Sequence, residues 1–164
     1  MELDELDKRI ISMLMQDARI AISEMSKKIN IPRTTIMHRL EKLEEEGYIK
    51  KYTAIPDYKK LGYNFIAYVL LRVKREKSIS GRSSQVVLAE KILESTKSSD
   101  KLPYVEEAQI ITGQYDILLK IRAKRWEDIS RFLIVHLAEF EEIEHSETML
   151  VLETVGEHIQ PNIK

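Results

Sequence analysis

Four histidines are the first residues to test for catalysis or metal binding, and their spacing supports neither. They lie at positions 38, 136, 145 and 158, so no two stand at the four-residue interval at which helical histidine pairs bind zinc. The chain contains no cysteine, which excludes disulfides, thiolate nucleophiles and thiolate metal ligands. It also lacks a glycine-rich phosphate loop and a nucleophile motif. We therefore predict no catalytic residue, no metal and no cofactor.

A cluster of cations gives a stronger chemical signal. Residues 27–42 carry five lysines and arginines against Glu41 alone, a local charge of +4 in a chain whose net charge is −1. Most charge runs are solvated helix faces, but such residues also neutralise the phosphates of nucleic acid. The position of the cluster favours DNA, because it coincides with a predicted turn and the helix that follows. Its cations are Lys27, Lys28, Arg33, Arg39 and Lys42.

Three short helices are predicted around this cluster, the first of them capped by Asp4. Ser23 can cap the second helix, and Asn30 tolerates the left-handed conformation that ends one. Pro32 suits the first position of the third helix, and Gly47 ends it. Two helices joined by so tight a turn are the outline of a helix-turn-helix, whose second helix enters the DNA major groove.

The third helix has one apolar side and one polar side. Ile36, Leu40 and Leu43 recur at helical spacing and predict the buried stripe. Residues near the N-terminus of such a helix approach base edges, whereas nearby lysines contact phosphates. For the polar side we predict DNA contacts from Arg33, Thr34, Thr35, His38, Arg39 and Lys42. Phosphate contacts are predicted from Lys27, Lys28, Lys50 and Lys51.

Beyond Pro56 the hydrophobic period becomes that of strands. Strands are predicted at 64–74, 105–112, 115–123 and 145–155, with helices at 83–97 and 126–140. This βαββαβ order is the ferredoxin-like split unit, in which two helices cover one sheet face. The first strand is apolar on both faces, which predicts a homodimer through the open face. Gly113-Gln114 predicts a tight hairpin, and Val86, Val87, Ala89 and Leu93 are predicted to face inward.

The predicted fold class is therefore α+β with two domains. We place a helix-turn-helix domain at 1–50, an extended hinge at 51–63 and a ferredoxin-like domain at 64–164. The longest apolar run, 65–71, is too short to span a bilayer, and the acidic N-terminus is unlike a signal peptide. These features predict a cytoplasmic protein without membrane contact.

Several motifs, taken in order, resemble the Lrp/AsnC family of transcription regulators. They are LDELDKRII at 3–11, DAR at 17–19, HRLEKLEEEGYIKKYTAIPDYKKLG at 38–62 and TGQYD at 112–116. The resemblance covers nearly the whole chain, with two departures. Pro32 stands where the family usually has a capping serine, and the segment 75–104 is longer than the family's first sensor helix and loop.

The resemblance implies a prokaryotic or archaeal, sequence-specific transcription regulator that binds a pseudo-palindromic operator in double-stranded DNA. It implies a winged-helix-like first domain, a ligand-sensing second domain, and dimers that assemble into octamers. The expected effector is an amino acid or a related small molecule, because exposed backbone amides suit the carboxylate of an amino acid and an aspartate suits its ammonium group. The implied ligand residues are Gly113, Gln114, Tyr115, Asp116, Ser146 and Thr148.

Three alternatives to this interpretation stay open. The 112–116 loop, taken alone, fits a plain hairpin turn that carries a surface aspartate. Siroheme decarboxylases share the architecture of the family and provide an enzymatic alternative. A DNA architectural protein that senses no ligand is the third.

Overall fold

A computed structural model describes residues 2–74, 81–97, 99–159, 161 and 163 of the chain. Contacts divide the chain into two compact units: one runs to Ile55 and includes the segment from Gly156, and the other spans Pro56–Val155. Among the described helices, none is long and apolar enough to cross a membrane. The domain boundaries at residues 50 and 63 remain predictions, and the polar residues 75–80 of the long segment lie outside the described residues.

The first unit contains the three predicted helices, α1 (Glu5–Gln16), α2 (Ile22–Ile29) and α3 (Arg33–Glu45). Their shared core consists of Ile10, Met25, Ile36 and Leu43, all fully buried or nearly so, with Leu40 partly buried against them. The predicted stripe of α3 is thereby confirmed. Asp4 caps α1 as expected, because its side chain accepts a hydrogen bond from the Asp7 backbone amide.

Two helix starts in the first unit differ from prediction. Ser23 is not the cap of α2, because the helix begins at Ile22, after Ala21, with no side-chain cap hydrogen bond. Ile22 packs against the core, and this burial draws the helix start toward it. Pro32 lies one position before α3, where its carbonyl accepts from the Ile36 amide at 3.1 Å. Asn30 is left-handed, with φ 54°, as predicted.

The second unit is a four-stranded antiparallel sheet with the predicted ferredoxin-like order of elements. Its elements are β1 (Phe65–Val73), α4 (Ser84–Lys97), β2 (Tyr104–Ile110), β3 (Ile117–Ala123), α5 (Trp126–Arg131) and β4 (Ile143–Leu150). The strands lie in the order β2-β3-β1-β4. After α5 the chain continues as a π turn, Phe132–His136, and a 3-10 turn, Leu137–Glu139.

One face of the sheet is buried beneath the helices. Ala67, Val69 and Leu71 of β1 are fully buried there, in one cluster with α4 and α5. The side of α4 that makes this contact differs from the predicted one: the buried residues are Leu88, Ala89, Ile92 and Thr96. Of the predicted inward residues only Ala89 is among them. Val86, Val87 and Leu93 are half-buried, and Leu93 packs against the edge of the buried cluster, as predicted.

The connection between the units is only partly extended. Among the described residues, 50–57 form no strand, so no paired wing follows α3, and residues 58–62 form a turn. The Lys60 amide donates to Asp57 Oδ1 at 3.1 Å, and Gly62 has a positive φ of 88°. The predicted extended hinge at 51–63 is therefore a turn in its second half.

The last strand is shorter than predicted. β4 ends at Leu150 instead of Val155, because its partner β1 begins only at Phe65. The Val151 amide still donates to the Ile66 carbonyl at 2.9 Å, and only Phe65 of β1 lies beyond that point.

Candidate DNA-binding and ligand-binding sites

A tight turn positions α3 against α2. The left-handed Asn30 ends α2, and only Ile31 and Pro32 separate it from the first residue of α3. Buried Met25 on α2 and buried Ile36 and Leu43 on α3 fix the packing of the pair. This is the geometry of a helix-turn-helix, with the opposite side of α3 left to solvent.

The predicted polar side of α3 is exposed at its N-terminal half. Thr34, Thr35 and His38 are exposed, and Lys42 is half-buried. At 100° per residue these four side chains share one side of the helix. Arg33 is also exposed, but its side chain points about 140° away from that of His38 around the helix axis. Because Arg33 is the first residue of α3, it can still extend past the helix end toward DNA that contacts the open side. Within the described part of the chain Arg33 has no side-chain partner.

Arg39 lies next to that open side, about 40° from Thr35 around the helix, but carboxylates of the same unit bind its side chain. Its Nη1 contacts Asp4 Oδ2 at 2.7 Å, and Asp7 Oδ1 and Oδ2 at 3.1 and 3.2 Å. The Arg39 side chain is 30% exposed, whereas Asp7 is only 1% exposed. These carboxylates raise the pKa of Arg39, first through the hydrogen bond to Asp4. Arg39 is therefore engaged within the unit instead of being an open cation, and its predicted contact with DNA stays a prediction.

The local charge is smaller than the sequence indicates. Lys28 pairs with Glu24 at 2.9 Å, a contact between two largely exposed side chains, and Arg39 is neutralised as described. Three cations of the cluster remain without an ion pair among the described residues, and two more exposed lysines follow α3. These five are Lys27, Arg33, Lys42, Lys50 and Lys51.

A tyrosine fastens the segment that carries the last two lysines. The Tyr52 hydroxyl donates to Glu44 Oε1 of α3 at 2.7 Å. Burial and this hydrogen bond to a carboxylate raise the pKa of Tyr52 to about 12. Because Lys50 and Lys51 directly precede the contact, they are held beside α3.

The predicted effector loop is wider than a tight hairpin. Strand pairing ends at Ile110 and Ile117, which leaves residues 111–116 as the connection. A two-residue turn at Gly113-Gln114 is therefore incorrect, because the Ile111 amide donates to the Asp116 carbonyl and closes a longer loop. Gly113, with φ 117°, and Gln114 are exposed at its tip.

Asp116 has a structural contact that the sequence did not indicate. Its amide donates to the Leu71 carbonyl at 2.8 Å, and its Oδ2 accepts from the Val73 amide at 2.9 Å. The carboxylate thus continues the hydrogen-bonding ladder of β1 beyond the last paired residue of β3. Any ligand would meet a carboxylate that is already fixed in place.

Tyr115 joins the loop to β4. Its hydroxyl is hydrogen-bonded to Glu147 Oε2, and its ring stacks on His145 with 6.2 Å between ring centroids. The hydrogen bond to the Glu147 carboxylate raises the pKa of Tyr115. Neither Glu147 nor His145 was predicted to belong to the site, although alternation along β4 places both on the side opposite to Ser146.

The structure does not bring Ser146 and Thr148 to the side on which Tyr115 contacts β4. They pair with Leu71 and Val69 and share the sheet face that the helices cover. Ser146 is exposed and Thr148 is half-buried at this edge strand. Within one chain the six predicted ligand residues are therefore divided between two sides of the sheet.

A serine, a histidine and a glutamate outside these sites resemble a hydrolase triad. Ser95 Oγ lies 2.8 Å from His136 Nε2, and His136 Nδ1 lies 3.6 Å from Glu139 Oε2. However, the Ser95 hydroxyl already donates to the Ile92 carbonyl at 2.8 Å, so it accepts from the imidazole. A hydroxyl that accepts from its histidine is not activated as a nucleophile, and the contact ties α4 to the π turn.

A helix-turn-helix followed by a ferredoxin-like sensor sheet defines a class of proteins, the two-domain DNA-binding transcriptional regulators. Family models match both parts: a winged helix-turn-helix DNA-binding domain over residues 3–50 and an Lrp/AsnC ligand-binding domain over residues 67–161. The chain therefore belongs to the Lrp/AsnC family of transcriptional regulators.

Individual relatives agree with this assignment along almost the full chain. An HTH-type transcriptional regulator of Pyrococcus abyssi is 38% identical over 96% of this chain and 97% of its own length. The regulator FL11 of Pyrococcus furiosus is 35% identical over 99% and 97%. The structure of Escherichia coli AsnC matches with a TM-score of 0.77 and 27% identity, covering 96% and 97%. These relatives are regulators, so the prediction of a non-enzymatic function is confirmed and the decarboxylase alternative is rejected.

Proposed function

We propose that this protein is a sequence-specific regulator whose α3 helices, one from each subunit of a homodimer, read the two half-sites of a pseudo-palindromic operator in double-stranded DNA. The observation that carries the proposal is the exposed N-terminal half of α3, where Thr34, Thr35 and His38 stand among uncompensated cations. Such an operator lies on chromosomal DNA, so we place the protein in the cytoplasm of a prokaryotic cell.

We divide the proposed DNA contacts into side chains that read bases and side chains that bind phosphate. Arg33 suits the acceptor edge of guanine, and the threonines and His38 suit base edges or the thymine methyl group. Lysines around the helix bind phosphate and orient the protein without reading sequence. We assign this second role to Lys27, Lys42, Lys50 and Lys51, and we leave Arg39 out of both groups.

The open sheet face supports the homodimer. Tyr68, Leu70 and Leu118 are half-buried there in the single chain, and Met149 is exposed. A contiguous apolar face of this kind is covered in most proteins by a partner, and a twofold axis lets one face cover its own copy. Further association of dimers into octamers is the second step that we propose.

The 111–116 loop supports an amino-acid effector. Exposed amides around Gly113 suit a carboxylate, and Asp116, fixed by Val73, still offers Oδ1 to an ammonium group among the described residues. Because Ser146 and Thr148 lie on the other side of the sheet, they reach this ligand only from a neighbouring subunit. Binding there would change the spacing of the DNA-binding units.

Genome-wide mapping of bound sites, followed by titration of the recovered sequence, tests the DNA proposal. We expect a pseudo-palindrome whose half-sites are about one helical turn apart, bound far more tightly than random DNA of equal length. Equal affinity for both DNAs, measured at one stated salt concentration, would reject sequence-specific binding.

Thermal unfolding against the twenty amino acids tests the effector proposal. A true effector raises the melting temperature in proportion to the logarithm of its concentration, because it binds only the folded form. Light scattering with and without that compound then reports the change in assembly. If none stabilises the protein, and DNA binding persists, the architectural alternative holds.

A further inference from the structure

The engaged arginine of α3 raises the question of what it does in a helix that binds DNA. Arg39 is separated from its partner Asp7 by 32 residues, so their contact joins the first helix of the unit to the third. Arg39 also lies four residues after Thr35 and three residues before Lys42, so the three are neighbours on the helix surface. We propose DNA contacts for Thr35 and Lys42. A contact that holds Arg39 therefore restrains the helix that also carries Thr35 and Lys42.

Asp7 is the central group of this contact. Its carboxylate accepts from the Asp4 backbone amide at 3.1 Å and from Arg39 Nη1, and it is almost completely buried. Asp4 in turn accepts from the Asp7 amide at 2.9 Å and contacts the same Nη1. One guanidinium nitrogen is thus locked between the two carboxylates of a capping box.

The apolar core cannot supply the same restraint. Ile36 and Leu43 bury α3 against α1 and α2, but the hydrophobic effect that drives this burial is non-directional. Charge-assisted hydrogen bonds have preferred lengths and directions. A pair of this kind therefore specifies the rotation of α3 about its own axis.

We propose that Asp7 and Arg39 form a positioning pair that holds α3 in the orientation from which it reads DNA, so that Arg39 serves recognition through Asp7 and not by contacting phosphate. The inference rests on the proposed function, since it presumes that α3 reads a preferred site. Asp7 touches no DNA in this arrangement and acts only on the helix that does.

The substitution Asp7→Asn separates positioning from simple electrostatics. It removes a negative charge, which on charge alone strengthens binding to DNA and releases Arg39 toward phosphate. If the pair positions α3, Asp7→Asn should instead weaken operator binding, by roughly 5- to 150-fold, which is the equivalent of about one lost base contact. Affinity for random DNA stays within about twofold, and the slope of affinity against salt is unchanged.

Glu5→Gln is the matched control, because Glu5 lies on the same first turn of α1 and contacts only Lys8 among the described residues. It removes the same charge and leaves the affinity ratio of operator to random DNA unchanged. Arg39→Lys keeps the positive charge, so it should retain part of the affinity ratio of operator to random DNA that Arg39→Gln loses. If Asp7→Asn is unfolded by circular dichroism, the double variant Asp7→Asn with Arg39→Gln replaces it, because a neutral pair leaves no buried charge.

These comparisons require that the unaltered protein binds its operator more tightly than random DNA. A variant at Asp7 that behaves like Glu5→Gln overturns the positioning pair. A salt slope that falls by about one in Arg39→Gln, with undiminished operator binding in Asp7→Asn, also overturns it and makes Arg39 a phosphate contact. If the unaltered protein shows no preference for any sequence, the proposed function fails instead.

Discussion

The guanidinium carbon of Arg122 lies 4.1 Å from the centroid of the Tyr58 ring. Arg122 is only 2% exposed, and Glu106 holds it through Nε at 2.7 Å and Nη2 at 3.3 Å. Tyr58 also packs against Tyr63 and Tyr104. The turn at 58–62 is therefore fastened to β3 of the sensor sheet by stacking on a fixed cation.

Replacing Tyr58 by leucine should loosen that turn. We expect the free energy of unfolding to fall by about 0.5–2 kcal/mol, because the cation–π contact is lost while some apolar area remains. Urea unfolding followed by circular dichroism measures the change. Tyr58→Phe keeps the aromatic ring and should cost less. Equal losses in both variants would show that the hydroxyl, and not the ring face, makes the contact.

Arg33→Ala should weaken specific DNA binding by about 1–3 kcal/mol, because Arg33 begins α3 and suits a guanine edge. Gel-shift titrations with the operator and with random DNA give the ratio of affinities, which should fall. Lys51→Ala is the control: an exposed phosphate contact should weaken binding to both DNAs alike and lower the salt slope by about one. An unaltered ratio in Arg33→Ala removes that residue from base reading.

Two substitutions at Asp116 distinguish its structural contact from its ligand contact. Asp116→Asn keeps an oxygen that accepts from the Val73 amide, so the free energy of unfolding should change little. Asp116→Ala leaves that amide unsatisfied and should cost about 1–3 kcal/mol. Both variants lose the charge for an ammonium group, so both should lose stabilisation by the effector in thermal unfolding. Retained stabilisation in Asp116→Asn would assign the ligand to other residues.

Glu142 should contribute to loss of stability in acid. The hydrogen bond from Lys91, whose Nζ lies 3.0 Å from Glu142 Oε1, holds the pKa of Glu142 below its ordinary value of 4.5. A carboxyl whose pKa is lowered in the folded state stabilises the protein above its unfolded pKa and ceases to do so as pH falls through the folded pKa. Unfolding free energies between pH 6 and pH 3 should therefore decline less steeply in Glu142→Gln. The neighbouring exposed change Glu141→Gln is the control; identical acid profiles in both variants would deny Glu142 this role.

Local rules predicted those parts of the fold that depend on neighbouring residues. Asp4 caps its helix, Asn30 adopts the left-handed conformation, and the buried stripe of α3 lies where helical spacing put it. The ferredoxin-like fold was also predicted, because four strands and two helices in that chain order have few compact arrangements. The inward side of α4 was predicted only in part, at Ala89 and Leu93, because apolar residues occur around much of the helix and only packing against the sheet selects Leu88 and Ile92.

The site residues show the same division. Exposure of Thr34, Thr35 and His38 could be predicted from periodicity, whereas the engagement of Arg39 could not, because Asp7 lies 32 positions away. The sequence did contain one signal for the role of Asp7. An acidic residue at the third position of a capped helix often accepts a hydrogen bond from the cap residue, and Asp7 stands at that position after Asp4. The bond from Val73 to Asp116 likewise joins distant positions that only the β1–β3 register brings together.

Strand β1 leaves the fastened turn at one end and meets the Asp116 carboxylate at the other. Its nine residues span about 30 Å at the usual rise of a strand, and pairing with β3 and β4 on both sides stiffens it. It is therefore one stiff element with a side-chain contact at each end, the Asp116 carboxylate on the Val73 amide and the Tyr58 ring on Arg122 of the paired strand β3.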